Sequence, residues 1–411
     1  MITIDAKTLI QGESQSDYIS DKGFSPDSYG LNLTKTRGWL AFIEGPTDRG
    51  GATLTGNIIA SAFDKNFSGN DGYFLDDEGN FYTINGATFT KRQTAAVDTF
   101  SLGTSELIQF MGNTYATSAQ RVMELTGSDL ATIDSGWWTG LTANIRHPME
   151  RVESKLYIGD LNTIHTWNGA SSTSAEITLP TDVNITSLRK NTDGKTLIAF
   201  CGTTQDASHT RGAPGRIYFI DINTKTWTRE IDIDTQVEGS RAVGGIIYVT
   251  YGMNVGYFNG NGITFLKKLR TSTTTYSHNM VAMENDLVVR DGLNALRFGD
   301  LGGGRVWWNI FRNGDNTNHI NCLHYKGDNK MLYAFQGASA GTGLLYEIDY
   351  DNDGQSGVFL SNRYVFSEKN RVTRLELIHE KTNGAGTTEF SAYYRDTEDN
   401  NNLIKTFSYL N

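Results

Sequence analysis

The chain has 411 residues, a formal net charge of −10 at pH 7, 44 Gly, 5 Pro and 11% aromatic residues. The acidic balance excludes a general electrostatic attraction to DNA, RNA or an anionic membrane surface, and no run of about 20 apolar residues offers a membrane-spanning helix. Gly and aromatic residues in these amounts, without Pro-rich linkers, suit many tight turns between pleated strands.

Residues 1–38 are polar, with Gln11-Gly12-Glu13 followed by Ser14, Ser16 and Ser20 and few apolar positions. They cannot bury a core alone and are expected to form an extended N-terminal arm. It is a frayed terminus, an end strand that closes the ring against the last blade, or an arm that docks on a partner subunit. No charged-then-apolar leader opens the chain, so synthesis as a soluble cytosolic chain is expected.

Beyond the arm, a tyrosine recurs on short apolar segments at Tyr73, Tyr115, Tyr157, Tyr248 and Tyr333, with gaps of 42, 42, 91 and 85 residues. Where the gap doubles, a Tyr-less copy fills it: Gly194-Lys195-Thr196-Leu197-Ile198-Ala199-Phe200 in one case, Asn285-Asp286-Leu287-Val288-Val289-Arg290 in the other. Each unit carries a first apolar strand such as Ile185-Thr186-Ser187-Leu188, then the Tyr-bearing strand. A third strand often ends in Asn-Gly, as at Asn85-Gly86, Asn168-Gly169 and Asn259-Gly260, and a fourth follows. Asn-Gly suggests type I′ hairpins at those corners. A period of about 40–45 residues with several short strands per unit predicts an all-β, seven-bladed β-propeller. The propeller domain is placed at 39–361, with its blades within about 56–361.

Motifs within the repeats carry little chemistry. Cys201 and Cys322 stand in apolar strands of different repeats and read as free buried thiols. Seven histidines show neither HxH nor HExxH spacing, and no GxSxG occurs. Asn191-Thr192-Asp193-Gly194-Lys195-Thr196 has part of a sialidase Asp-box but lacks its closing Trp, and an ordinary Asp-Gly turn explains it. The pairs Trp137-Trp138 and Trp307-Trp308 are open to two readings, sugar platforms or blade packing, with packing favoured. Asp349, Asp351 and Asp353, with Gly354, match the first half of a calcium loop. Position twelve, however, is Leu360 instead of a bidentate Glu, and a solvated turn competes with a calcium site there.

Residues 362–411 form a different kind of segment. Arg371-Val372-Thr373-Arg374-Leu375-Glu376-Leu377-Ile378 and Thr388-Glu389-Phe390-Ser391-Ala392-Tyr393-Tyr394 alternate like half-buried antiparallel strands and predict a small C-terminal β extension. The order Gly343-Leu344-Leu345-Tyr346-Glu347-Ile348-Asp349, Asp353-Gly354, Arg363-Tyr364-Val365-Phe366-Ser367-Glu368-Lys369-Asn370-Arg371-Val372 and Leu375-Glu376-Leu377 resembles the end of β-propeller proteins from tailed-phage virions. These form the tail hub or nozzle family, which includes the packaged-DNA stabilisation proteins of short-tailed phages. Asp27-Ser28-Tyr29-Gly30-Leu31-Asn32-Leu33 and Gly45-Pro46-Thr47 resemble the opening of such chains.

The resemblance implies a structural virion protein that forms a homo-oligomeric ring in the tail around the DNA exit channel. It implies contacts with copies of itself and with other tail proteins, no enzymatic activity and no cofactor. DNA would pass through the channel without specific binding, past acidic residues that repel its phosphates. Two alternatives stay open: a receptor- or glycan-binding tail-tip propeller, and a propeller glycosidase, which would need two positioned carboxylates.

Overall fold

Strands whose hydrophobic residues face both ways must be covered on both sides, and here seven small sheets stack around a ring to do it. The computed structural model describes residues 31–32, 41–42, 46–50, 53–62, 71–94, 105–126, 132–133, 138–143, 145–203, 213–269, 280–300, 304–312, 319–335, 343–351, 387–395 and 401–410. No α-helix occurs among them. The chain divides into two compact units, Met1–Asn362 and Arg363–Asn411.

Unit one is a seven-bladed β-propeller. Blade 1 is Ile58–Ala62, Gly72–Asp76, Asn80–Asn85 and Thr88–Thr94 in antiparallel order. Blade 2 is built on Leu107–Phe110, Asn113–Thr117 and Arg121–Thr126, whose outer edge pairs with the short strands Thr132–Ile133 and Trp138–Thr139. Blades 3, 4 and 5 begin at Met149–Val152, Asn184–Lys190 and Gly239–Val243, and blade 6 at Met280–Met283. Blade 7 begins at Ile320–Gly327 and continues through Lys330–Phe335 and Leu344–Asp349. The first strand of every blade lies against the first strand of the next, and that of blade 7 lies against that of blade 1, so the first strands form the inner wall of a closed ring.

The ring is closed by a strand from the beginning of the chain. Thr47–Asp48 adds to the outer edge of blade 7, with Thr47 opposite Glu347 and Asp48 opposite Tyr346. Closure by an end strand was expected of residues 1–38, and the closing residues lie just after them. Upstream, Leu31–Asn32 pairs with Ala41–Phe42 and runs beside the outer strand of blade 6. An outer strand left unpaired would expose a row of backbone donors and acceptors, and the closing strand removes that edge.

The repeated tyrosines are core residues, with Tyr73, Tyr115, Tyr157, Tyr248 and Tyr333 all at 3% exposure or less. Each sits on the second strand of its blade, between neighbouring sheets. The hydroxyls of Tyr115 and Tyr248 find partners on nearby strands. Tyr115 donates to Glu124 at 2.9 Å, and Arg305 donates to Tyr248 at 2.6 Å.

The Asn-Gly corners are built differently from the type I′ expectation. At Gly86, Gly169 and Gly260 φ is positive, but the preceding Asn keeps the ordinary negative φ. Asn168 Oδ1 instead accepts the backbone N–H of Ala170 and Ser171 at 2.9 and 2.7 Å, and Asn259 Oδ1 that of Asn261 at 2.9 Å. An Asn side chain that mimics a backbone acceptor needs no left-handed backbone of its own. Turns with two consecutive positive φ values fall between the first and second strands instead, at Met111-Gly112, Gly244-Gly245 and Asp328-Asn329.

Unit two is a two-stranded antiparallel ribbon, Thr387–Arg395 with Asn401–Leu410, in the register Phe390 opposite Phe407.

Candidate functional site at the centre of the ring

The inner strands carry charged side chains in an otherwise apolar setting. Arg146, just ahead of blade 3, is 1% exposed, and its Nε donates to Glu106 Oε1 at 3.0 Å. Its Nη1 donates to the Glu238 carbonyl at 2.6 Å, so one guanidinium joins the approaches to blades 3 and 5, which are not neighbours in the ring. The other oxygen of Glu106 accepts the Met149 N–H at 3.0 Å. A buried arginine is tolerated because its donors are satisfied and its charge is opposed.

A second layer lies along the first strands of blades 3, 4 and 5. Arg189 Nε donates to the Ser240 carbonyl at 3.0 Å, while its Nη1 lies 2.7 Å from the Leu188 carbonyl and 3.2 Å from Glu150 Oε2. Burial raises the pKa of Glu150, and the Arg189 charge works against that shift. Arg151 is exposed, with Nη1 3.5 Å from the Gln109 carbonyl. Arg241 is also exposed on an innermost strand, yet protein surrounds it. Desolvation first, and repulsion from Arg189 second, bring its guanidinium down to about 10. Arg290 donates to the Ile320 carbonyl at 2.6 Å. Arg146, Arg151, Arg189 and Arg241 thus share this region with Glu106 and Glu150 in a chain that is acidic as a whole.

The sequence reading missed this group, although a signal was present: Arg151, Arg189 and Arg241 interrupt first strands that are otherwise apolar or small, at spacings of 38 and 52 residues.

The other polar cluster is built around Asp160. Its Oδ1 is 3.6 Å from His147 Nδ1 and its Oδ2 3.5 Å from His165 Nε2, and the Thr142 N–H donates to Oδ1 at 3.1 Å. Burial lowers the pKa of His147. Burial would raise that of Asp160, but the hydrogen bond from His165 and the field of His147 outweigh it and the carboxyl shifts down. Thr163 Oγ1 donates to the Asp160 backbone carbonyl at 2.8 Å and the Thr142 side chain also bonds the Asp160 carboxyl, so the cluster ties this hairpin to the segment before blade 3.

Asp349 ends the third strand of blade 7. Its Oδ1 accepts the Asp351 N–H at 3.0 Å, Lys330 Nζ lies 3.4 Å from its Oδ2, and Asn329 donates to Asp351 at 2.8 Å. Asp353 lies outside the described residues, and no group of three or more His, Cys, Asp or Glu among the described residues could hold a metal ion. Asp193 organises an exposed turn, accepting the N–H groups of Lys195 and Thr196 at 2.8 Å each. Trp307 and Trp308 are both buried, Trp307 stacked on Phe298 at 4.8 Å, so this pair packs blades. The side chains of Trp137 and Trp138 lie outside the described residues. Cys201 and Cys322 are free and buried.

No family model and no curated protein matches the chain. Among solved structures it is similar to Raptor from Chaetomium thermophilum, with TM-score 0.50 and 13% identity over 72% of this chain and 28% of that one. It is also similar to the extracellular domain of BT4673 from B. thetaiotaomicron, with TM-score 0.52 and 11% identity over 74% of this chain and 39% of that one. The chain spans well under half the length of either. At these identities the likeness is one of fold.

Proposed function

We propose that this chain is a non-catalytic assembly protein, a subunit of a homo-oligomeric ring in a phage tail, built around the DNA exit channel as a hub or nozzle. The observation that carries the reading is the resemblance of residues 343–377 and 27–47 to such proteins, in a chain whose propeller is followed by a separate β unit. Physical reasoning supports it. A two-stranded ribbon is marginal in water by itself, and the ribbon of unit two pairs with no third strand among the described residues, which suits a segment that is covered by a partner subunit. Glu106, Glu150 and the pair His147 and Asp160 are engaged in ion pairs within the propeller, which suits a packing role.

A glycan- or receptor-binding tail-tip propeller is the second reading. Trp227 and Phe265, on the outer strands of adjacent blades 4 and 5, are 43% and 56% exposed and give aromatic faces on which a sugar could stack. The test is cryo-electron microscopy and mass spectrometry of purified particles of the phage that encodes the chain. The assembly reading expects stoichiometric copies in a ring at the tail end. Absence from the particles would overturn it.

A further inference from the structure

Four of the seven blades end on an outer strand that no further strand pairs among the described residues. These strands are Thr88–Thr94 of blade 1, Ser172–Thr178 of blade 3, Thr226–Ile233 of blade 4 and Ile263–Lys268 of blade 5. The outer strands of blades 2 and 7 are paired by short strands, and that of blade 6 has Leu31–Asn32 beside it. An open strand presents a row of backbone donors and acceptors to any strand that can approach it. The four differ in charge. Blade 1 presents Lys91 and Arg92, both exposed, and its strand contains no acid. Blade 4 presents Glu230 and Asp232, also exposed, and with Asp182 they surround Arg216 at 3.4, 3.1 and 2.9 Å. Three carboxylates around one guanidinium leave that edge negative. Arg229, on the same strand, is engaged by the turn of blade 5, donating to the Gly260 carbonyl at 3.0 Å and to Asn261 Oδ1 at 2.8 Å. The open strand of blade 3 has one charged residue, Glu176, which is held by Lys155 at 2.8 Å and Lys225 at 2.6 Å. On blade 5, Lys267 is buried over Trp307 and Lys268 alone is an exposed cation.

We propose that the open strand of blade 1 in one copy of this chain pairs edge to edge with the open strand of blade 4 in a second copy. The inference rests on the reading of the chain as a self-assembling subunit, and it names the surfaces through which copies meet. Charge on an edge strand guards it against indiscriminate pairing. Here the guards are opposite in sign, so two blade 1 edges repel, two blade 4 edges repel, and the unlike pair attracts. Opposite charges across antiparallel strands stabilise the pairing, and side chains as long as Lys91 and Arg92 reach diagonal neighbours as well. The strands match in length, at seven and eight residues. Trp227, 43% exposed on the blade 4 strand, would gain cover from the neighbouring copy. The contact joins different surfaces and every copy carries both. That is the heterologous arrangement, which continues from copy to copy and closes into a ring where the rotation allows.

The test follows assembly of the full-length chain by native mass spectrometry over micromolar concentrations. Two charge reversals are compared with the unaltered protein: Lys91→Glu with Arg92→Glu, and Glu230→Lys with Asp232→Lys. Each reversal alone makes the two edges alike in sign and is expected to raise the concentration needed for assembly by about tenfold or more. An equimolar mixture of the two variants again brings unlike edges together and is expected to restore assembly, which also shows that both fold. Carbodiimide coupling of the unaltered chain needs no variant. It is expected to join Lys91 to Glu230 or Asp232, and in a mixture of light and heavy nitrogen-labelled protein the new bond should link one label to the other. If the unaltered chain assembles but neither reversal weakens it, or Lys91 is never coupled to these acids across labels, the contact lies elsewhere. The proposal then falls while the ring reading stands. An unaltered chain that stays at 45.5 kDa at every concentration overturns both.

Discussion

His324 shows how tightly single residues fix the seam between the last blade and the first. Its Nε2–H donates to the Asp71 carbonyl at 3.1 Å, and its ring lies 4.8 Å from that of Phe74. A Cβ on Gly72 would come within 2.4 Å of the imidazole, so only glycine lets the two strands approach this closely. Burial, the largest cause, pushes the pKa of His324 from 6.5 to about 4. Between those values the unfolded chain binds the proton and the folded one does not. Stability should therefore be highest above pH 6.5 and fall by about 3 kcal/mol as pH drops to 4. His324→Gln, which keeps a donor near the Asp71 carbonyl, is expected to flatten this acid slope in pH-dependent urea unfolding. A residual slope is expected from His147, whose pKa burial also lowers. An unchanged slope would show that His324 titrates normally in the fold. The repeated tyrosines could be read from the sequence because each recurs at the same place in a blade. The contact of His324 with Gly72 could not, because 252 residues separate them and neither type carries a local pattern.

Among the elements, the closing strand matters most and was least visible. It is two residues long, Thr47–Asp48, and polar, so no alternation marks it. Its partner strand lies some 300 residues away, and side chains reinforce the pairing. Arg49 meets Glu347 at 2.7 Å, and Lys326 meets the other oxygen of Glu347 at 2.9 Å while also reaching blade 1 at the Gly86 carbonyl. These contacts separate two truncations. Removal of residues 1–38 spares the closing strand and should leave a cooperatively folded propeller that no longer enters particles. Removal of residues 1–50 takes away the strand and Arg49 together, and should lower the thermal midpoint sharply. Circular dichroism melts of the two forms check this, and equal midpoints would mean that the closing strand contributes nothing. The Asn-Gly corners show a different limit of sequence reading. The dipeptide correctly marks a turn, but at loops of two residues (Gly86-Ala87) and of four (after Trp167 and Phe258) the Asn keeps a negative φ and only the Gly is left-handed, which the dipeptide itself does not reveal.

For the whole molecule, the tyrosine spacing predicts seven units, and seven blades are present, because a repeat that buries its faces only against its neighbours must keep its pattern in every copy. The charged centre follows a different logic. Its arginines come from several blades and meet only after the ring closes, so no single segment announces them. Function stands furthest from the sequence, since a propeller is a scaffold for many roles. The claim that this chain builds a ring of its own copies is tested most directly by native mass spectrometry of the purified full-length protein across micromolar concentrations. A subunit with heterologous contacts that close should give one discrete oligomer, an integral multiple of the 45.5 kDa chain. A species that remains at 45.5 kDa at every concentration would contradict it.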